Sequence, residues 1–270
     1  MIEQAYETLL TASPRQSVLL VTLNRPAAAN AFNTQMARDL VGLFEAIALD
    51  PRNLDGPETR CIVVTGAGAR AFCAGGDLKE RNGMSDEDWG RQHLVFERMT
   101  CAIVDCPCPI VAAVNGAAFG GGCEIAAAAD FCFAADSARF ALTEVTLGII
   151  PGAGGTQTLA RAMGVRRAKE VILSGRVFSA ADAHAWGLVN AVYGQDELLD
   201  ATLDVAERIA ANAPIAVRQA KQAIQRGANM SLADGLAFEI EAYNRTVPTQ
   251  DRQEGVRAFN EKRKPEFRGR

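Results

Sequence analysis

The chain has 270 residues, of which 28 are basic and 32 acidic, so its formal net charge at pH 7 is −4. This balance argues weakly against nucleic acid as the main partner, because proteins that bind phosphate backbones usually present a basic face. The longest weakly polar run, from Ile110 to Ala129, is interrupted by Asn115, several glycines and Glu124. No segment is therefore predicted to span a membrane.

The N-terminal sequence MIEQAYETLLTASP has early acidic residues and lacks the pattern of a secretion signal or an Arg-rich transit peptide. We therefore expect a cytoplasmic protein. The seven cysteines are odd in number and lie mostly in apolar surroundings, which predicts free thiols. Cys106 and Cys108 resemble half of a metal site, but no second cysteine pair or nearby histidine completes it. No metal is predicted.

Strands and helices alternate through the first part of the chain. The run from Ser17 to Leu23 predicts a buried strand, and apolar residues at helical spacing predict a helix from Thr34 to Leu49. A polar loop from Asp50 to Glu58 leads to a second strand from Arg60 to Thr65. A long helix is predicted from Asp86 to Cys106, where prolines follow.

The glycine pattern from Gly66 to Ala71 follows a predicted strand, as in a dinucleotide-binding loop. Such a loop requires a helix to begin at once, and here the segment from Phe72 to Asp77 continues as a loop. We therefore reject a dinucleotide site. A Ser-His-Asp triad is also discounted, because the chain has two histidines and no GxSxG turn.

The second half begins with a predicted strand from Ile110 to Val114, three consecutive glycines and a helix that runs through Ala129. Further elements are predicted at Phe131–Ala134 (strand), Thr156–Met163, Arg166–Ser174 and Ala180–Trp186 (helices), and Gly187–Val192 (strand). From Asp196 onward only helices are predicted. This order indicates an α/β core over residues 1–195 and a helical region over residues 196–270.

Two glutamates lie beside glycine-rich segments. Gly120, Gly121 and Gly122 expose backbone N–H groups at the start of a helix, where they stabilise negative charge on a ligand oxygen. Glu124 follows in the first turn, and Glu144 precedes a second glycine loop. Two carboxylates that converge on one water suit its addition to a double bond conjugated to a carbonyl.

Each glutamate also has a purely structural interpretation. Glu124 alone is explained equally well by its favourable interaction with the helix dipole, about 0.3–1 kcal/mol. Glu144 alone is explained as a helix cap or a salt-bridge partner. The position of both residues beside glycine loops favours catalysis.

The segment AVNGAAFGGGCEIAAAADFCFAADSARFALTEVTLGIIPGAGGTQTLAR closely resembles the signature region of the enoyl-CoA hydratase (crotonase) family. LNRPAAANAFN, AFCAGGDLKE, GVRRAKEVILSGRVFSAADAHAWGLVNAV and EGVRAFNEKRKP are also similar, so the resemblance extends from about Val18 to Arg263. It implies an α/β fold, a crotonase-like spiral of ββα units with a C-terminal helical trimerisation region, in homotrimers or homohexamers.

The resemblance implies an acyl-CoA thioester substrate and no metal or redox cofactor. It implies catalysis by Glu124 and Glu144, and an oxyanion hole formed by the backbone N–H groups of Ala74 and Gly121. The substrate-binding residues implied are Ala28, Ala74, Gly75, Gly76, Asp77 and Gly121. Because both glutamates are present, the implied reaction is hydration of a 2-enoyl-CoA to a 3-hydroxyacyl-CoA.

Two alternatives remain open. The sequences GDLKERNGMSDEDW and APIAVRQAKQAIQRGANM are similar to those of methylglutaconyl-CoA hydratases of leucine degradation, which implies a branched substrate. Some of those proteins have been associated with RNA binding through a lysine-rich helix, but the helix from Thr34 to Leu49 has no lysine. A non-catalytic CoA-ester-binding or RNA-binding protein is therefore less favoured than an enzyme.

Overall fold

A computed structural model describes residues 6–51 and 58–270 of the chain. The predicted polar loop between Asp50 and Glu58 lies largely outside these residues. The N-terminal pattern used to predict localisation also begins outside them. None of the helices in the described ranges combines the length and the hydropathy that crossing a bilayer requires.

The main sheet has six strands. β2 is parallel to β3, and the remaining strands up to β10 continue in parallel, whereas β1 forms an antiparallel hairpin with β2 at the edge. In spatial order the strands are β1 (Leu9–Arg15), β2 (Val18–Leu23), β3 (Cys61–Gly66), β5 (Ile110–Val114), β7 (Phe131–Ala135) and β10 (Ala191–Tyr193).

A second sheet of four short strands lies after the ends of the main strands. Its members, in spatial order, are β4 (Ala71–Cys73), β6 (Ala117–Phe119), β8 (Arg139–Ala141) and β9 (Phe178–Ser179). The first three are parallel, and β9 is antiparallel to β8. The chain passes from a main strand to a short strand three times in succession: β3 to β4, β5 to β6, and β7 to β8.

Each strand pair leads into helices, which gives the ββα units that the family resemblance implied. The helices of this part are α1 (Thr34–Leu49), α2 (Leu78–Arg81), α3 (Asp86–Val104), α4 (Gly121–Ala128) and α5 (Gly155–Met163). α1 begins where predicted, because the Asn33 side chain accepts a hydrogen bond from the Met36 N–H at 3.0 Å.

The second sheet was not predicted, and β1 was not predicted either. The short strands have two or three residues and are rich in alanine, so they are too short to show a period of two. β1 is exposed over most of its length because it forms the sheet edge, and it lacks a buried face. The last main strand is also shorter than predicted, since the N–H groups of Leu188 and Val189 bond to the Ala183 carbonyl.

Two further helices of the core, α6 (Val165–Ser174) and α7 (Ala180–Ala185), precede residue 195. From residue 196 onward the chain is helical, as predicted, and contains α8 (Leu198–Ala210), α9 (Pro214–Gly227), α10 (Leu232–Thr246) and α11 (Gln250–Glu261). α8 packs against β2, β3, β5 and β7, and its buried residues join the hydrophobic core. The division at residue 195 stays a prediction, and the packing of α8 favours a boundary further along the chain.

Asn115 connects the ends of the two sheets. Its side chain is buried, and Nδ2 donates to the carbonyl oxygens of Gly66 at 2.8 Å and Gly68 at 2.6 Å. Its Oδ1 accepts from the Gly66 N–H at 3.1 Å and from the Thr65 hydroxyl at 3.3 Å. The turn after β5 is thereby fixed against the end of β3, where the chain passes into the second sheet.

We expect Asn115→Ala to lower the free energy of unfolding by about 2–4 kcal/mol, because it leaves several buried backbone groups without partners. Urea unfolding followed by circular dichroism measures this loss. Asn260→Ala is the matched control, since the Asn260 side chain makes one exposed bond to the Val256 carbonyl. Equal losses in the two variants would contradict the role assigned to Asn115.

Candidate active site

A cleft of about 740 Å³ opens between the loop after β4, the start of α4, α3 and the segment from Glu144 to Ala153. Six of the eight predicted site residues line it: Ala74, Gly75, Gly76, Gly121, Glu124 and Glu144. Phe32, Arg81, His93 and Phe96 line it as well, and the sequence pattern gave no signal for them. Ala28 and Asp77 do not line the cleft.

Asp77 has a structural role in this fold, and its predicted contact with substrate stays a prediction. Its carboxylate pairs with Arg25 at 2.9 Å and caps α2 by accepting from the N–H groups of Lys79 and Glu80. Burial raises the pKa of Asp77, but these hydrogen bonds outweigh it, so the pKa is lower than usual. Ala28 lies in the short 3-10 helix Pro26–Ala28 and is half-buried outside the cleft.

The predicted oxyanion donor Ala74 is corrected by the structure. The N–H of Ala74 donates to the carbonyl oxygen of Ala29 at 3.0 Å, so it is already occupied. In the described part of the chain, no carbonyl or side-chain oxygen accepts from the N–H groups of Gly76 and Gly121. These two glycines, one in each loop, offer the unused donors.

The two glycine loops are in close backbone contact. Gly75 has φ +93°, and a Cβ at this position would lie 2.7 Å from the Phe119 carbonyl oxygen and 3.2 Å from the Gly121 nitrogen. A Cβ on Gly122 would lie 2.0 Å from the Cys73 carbonyl oxygen. Any side chain at either position would push the loops apart, so the glycines bring the two sets of N–H groups together.

Glu124 is buried in the first turn of α4, with 3% of its surface exposed. Its Oε1 accepts from the N–H groups of Ala153 at 2.8 Å and Gly155 at 2.7 Å. Burial raises its pKa to about 7; the negative charge of Glu144 adds to this effect, and the two N–H groups oppose it. The carboxyl therefore changes its protonation state near neutral pH.

Glu144 begins a short 3-10 helix, Glu144–Leu147, after β8. Burial raises its pKa as well. Its Oε2 is buried and accepts no hydrogen bond from the described chain, and its Oε1 lies 3.0 Å from the position that a Cβ on Gly120 would occupy. Oε2 of Glu124 lies 3.7 Å from the corresponding position on Gly121. The two carboxyls therefore flank adjacent glycines at the start of α4.

The alternative sites weighed from the sequence have no counterpart here. β3 ends at Gly66, and the described chain forms a short strand before the next helix begins at Leu78, so no dinucleotide loop is present. Cys106 and Cys108 are buried, and the Cys108 thiol donates to a backbone carbonyl. Within residues 6–51 and 58–270, no group of three or more His, Cys, Asp or Glu side chains is arranged to hold a metal ion.

A sequence model of the family described as enoyl-CoA hydratase/isomerase matches residues 13–270. The chain belongs to the enoyl-CoA hydratase/isomerase family. It is 41% identical over 262 residues to the 2,3-dehydroadipyl-CoA hydratase of Escherichia coli (strain K12), covering 97% of this chain and 99% of the relative. It is 39% identical over 249 residues to the short-chain-enoyl-CoA hydratase of Clostridium acetobutylicum, covering 92% and 93%.

The fold agrees with the same family. The crystal structure of an enoyl-CoA hydratase from Bacillus anthracis is similar with a TM-score of 0.93 and 42% sequence identity, covering 98% of this chain and 100% of that one. Membership of the enoyl-CoA hydratase/isomerase family, together with the α/β architecture, confirms the resemblance stated from the sequence. The roles of the individual site residues stay predictions.

Glu124→Gln tests the burial of the carboxyl. The pKa of Glu124 in the folded state, about 7, exceeds the usual 4.5. The protonated carboxyl therefore contributes its full stabilisation to the fold below about pH 4.5, and this contribution is lost as pH rises through 7. Glutamine keeps an acceptor oxygen but cannot ionise. We compare the unfolding free energies of Glu124→Gln and wild type. We expect their difference to shift in favour of the variant by up to about 3 kcal/mol between pH 5 and pH 8. Urea unfolding across this range measures it, and a constant difference would contradict the raised pKa.

Proposed function

We propose that the chain is an enoyl-CoA hydratase, which adds water across the 2,3-double bond of a 2-enoyl-CoA thioester to give a 3-hydroxyacyl-CoA. One observation carries the proposal: two carboxyls with raised pKa values flank the start of α4, beside two unused N–H groups from adjacent loops. The hydratase names of the relatives support the same substrate class.

The thioester carbonyl oxygen binds between the N–H groups of Gly76 and Gly121. When the water oxygen attacks C3, the π electrons of the double bond move toward the carbonyl, and an enolate forms. The two donors stabilise the negative charge on its oxygen, and the N-terminal end of α4 adds a favourable dipole. A single donor of this kind typically contributes about 3–4 kcal/mol to the transition state.

The carboxyl pair moves the protons. Oε1 of Glu124 is fixed by two N–H groups, so its Oε2 is available for a water, and Oε2 of Glu144 is available in the same way. The ionised carboxyl of the pair takes a proton from water as the oxygen bonds to C3. The protonated one gives its proton to C2, so the pair holds one proton before and after the reaction.

This proposal requires no metal or redox cofactor, because water, two carboxyls and two N–H groups supply every proton and charge in the reaction. The acyl chain lies against the exposed apolar side chains that line the cleft, namely Leu78, Leu147, Ile149 and Ile150. We keep the cytoplasm as the proposed location. None of the relatives reported above carries the methylglutaconyl-CoA name, so the branched-substrate alternative has no added support.

We also propose a homotrimer or a homohexamer. α10 carries a stripe of exposed apolar residues at helical spacing, comprising Leu232, Leu236, Ile240 and Tyr243. α11 adds Val256 and Phe259, and Phe259 is 83% exposed. Exposed apolar side chains grouped in this way on a helix are typical of a subunit interface.

We expect Glu124→Gln and Glu144→Gln each to lower kcat on the preferred enoyl-CoA at least about 10³-fold, because each removes one proton-transfer group. Loss of absorbance at the enoyl-thioester band measures turnover, and calorimetry with a saturated acyl-CoA measures binding, which should be largely retained. Glu45→Gln is the matched control, since the Glu45 carboxylate is partly exposed, accepts hydrogen bonds from Arg98 and does not line the cleft. Near-normal turnover in either Glu124 or Glu144 variant would refute the paired-carboxyl mechanism.

Gly76→Pro deletes one proposed oxyanion donor without removing a hydrogen bond of the folded chain. We expect kcat to fall about 10²–10³-fold. Gly76→Ala is the control, because it keeps the N–H and a Cβ there would meet Phe96 and Arg81 only at 3.8–4.0 Å. Circular dichroism establishes that both variants are folded. Equal turnover in the two variants would remove Gly76 from the oxyanion hole.

A further inference from the structure

Arg81 is the one guanidinium among the described residues that line the cleft. Its Cζ lies 4.1 Å from the ring centre of Trp89 and 4.9 Å from that of Phe96. Its Nε donates to Oε1 of Gln92 at 2.7 Å. These contacts fix the plane and the direction of the guanidinium and leave its two terminal nitrogens available.

No carboxylate of the described chain lies within salt-bridge distance of Arg81. The adjacent Glu80 is engaged elsewhere, because its Oε2 accepts from the Thr34 N–H at 2.9 Å and from Nε2 of Gln92 at 2.8 Å. Burial lowers the pKa of Arg81, and the negative charge of Glu80 opposes this effect. A half-buried cation without a direct ion pair gains stability when a ligand supplies the opposite charge.

The guanidinium is close to the proposed thioester position. Its Cζ and Nη1 lie 4.0 Å from the position that a Cβ on Gly76 would occupy. The N–H of Gly76 is one of the two proposed oxyanion donors. A substrate group that binds Arg81 would therefore be separated from the thioester carbon by a short length of the acyl chain. The planar fork of an arginine also matches the two oxygens of a carboxylate.

We propose that Arg81 binds a carboxylate at the far end of the acyl group, so that the preferred substrates are 2-enoyl-CoA thioesters of dicarboxylic acids. This inference rests on the proposed hydratase function, which it narrows to a substrate class. Methylglutaconyl-CoA, the alternative substrate weighed from the sequence, is a dicarboxylic thioester and belongs to that class. The exposed apolar side chains named above hold the carbon chain between the thioester and the guanidinium, and His93, Glu97 and Thr143 also line the cleft. A neutral acyl chain leaves Arg81 without a partner.

Two isosteric substrate pairs test the proposal: glutaconyl-CoA against 2-pentenoyl-CoA, and 2,3-dehydroadipyl-CoA against 2-hexenoyl-CoA. In each pair a carboxylate replaces a terminal methyl group. We expect kcat/KM of the wild type to favour the acidic member of at least one pair at least about tenfold, as for a partly buried charge pair. Arg81→Met should lower that ratio at least about tenfold, and Arg81→Lys should lower it less.

The ratio is measured within each variant, so a general loss of folded protein cancels. Arg98→Met is the matched control on α3, because Arg98 is exposed and pairs with Glu45, and it should keep the wild-type ratio. A wild-type ratio near one in both pairs, or an unchanged ratio in Arg81→Met, would overturn the proposal.

Binding separates this proposal from the hydratase function. Calorimetry compares glutaryl-CoA, pentanoyl-CoA and free CoA on wild type and Arg81→Met. Selective loss of glutaryl-CoA affinity in the variant supports the carboxylate site even if the wild type hydrates no enoyl-CoA, in which case only the proposed reaction fails. If Arg81→Met binds all three ligands more weakly by the same factor, Arg81 contacts the CoA moiety, and the inference is overturned.

Discussion

The hydrogen bonds from the Ala153 and Gly155 N–H groups to Glu124 are the constraint on which the cleft depends. Glu124 lies at the start of α4, and its two donors lie beyond Glu144, at the start of α5. The bonds therefore join both ends of the segment that carries the catalytic candidates. They also fix one oxygen of Glu124 and leave the other for chemistry. Burial outweighs their effect on the pKa, which stays near 7.

The parts predicted from the sequence are those that local patterns determine. α1 begins and ends at the predicted residues because a side-chain cap and a regular apolar face define it. The first sheet was predicted from β-branched runs, although β1 was not. The proximity of Glu124 and Glu144 followed from the glycine loops beside them. The second sheet could not be predicted, because strands such as Ala117–Phe119 are defined by pairing with distant strands and carry no periodic signal.

The identity of the oxyanion donor in the loop after Cys73 could not be predicted from the local sequence either. The sequence pointed to the loop after Cys73, since glycines there permit close approach to the backbone. Which N–H in that loop is unused depends on an acceptor forty-five residues earlier, the Ala29 carbonyl, which takes the N–H of Ala74. The backbone of Phe32 donates to the Gly75 carbonyl and accepts from the Asp77 N–H, on either side of Gly76. The Gly76 N–H is left without an acceptor in the described chain. Only tertiary structure contains this information.

The charges in the cleft are arranged so that binding and chemistry do not interfere. An arginine in contact with Glu124 or Glu144 would favour their ionised forms and lower both pKa values. Both values are raised instead, by burial and, for Glu124, by Glu144 as well. Arg81 is held away from the pair by its stacking on Trp89 and its bond to Gln92. The cation is thus available to an anionic acyl group, and the pKa values of both carboxyls stay raised.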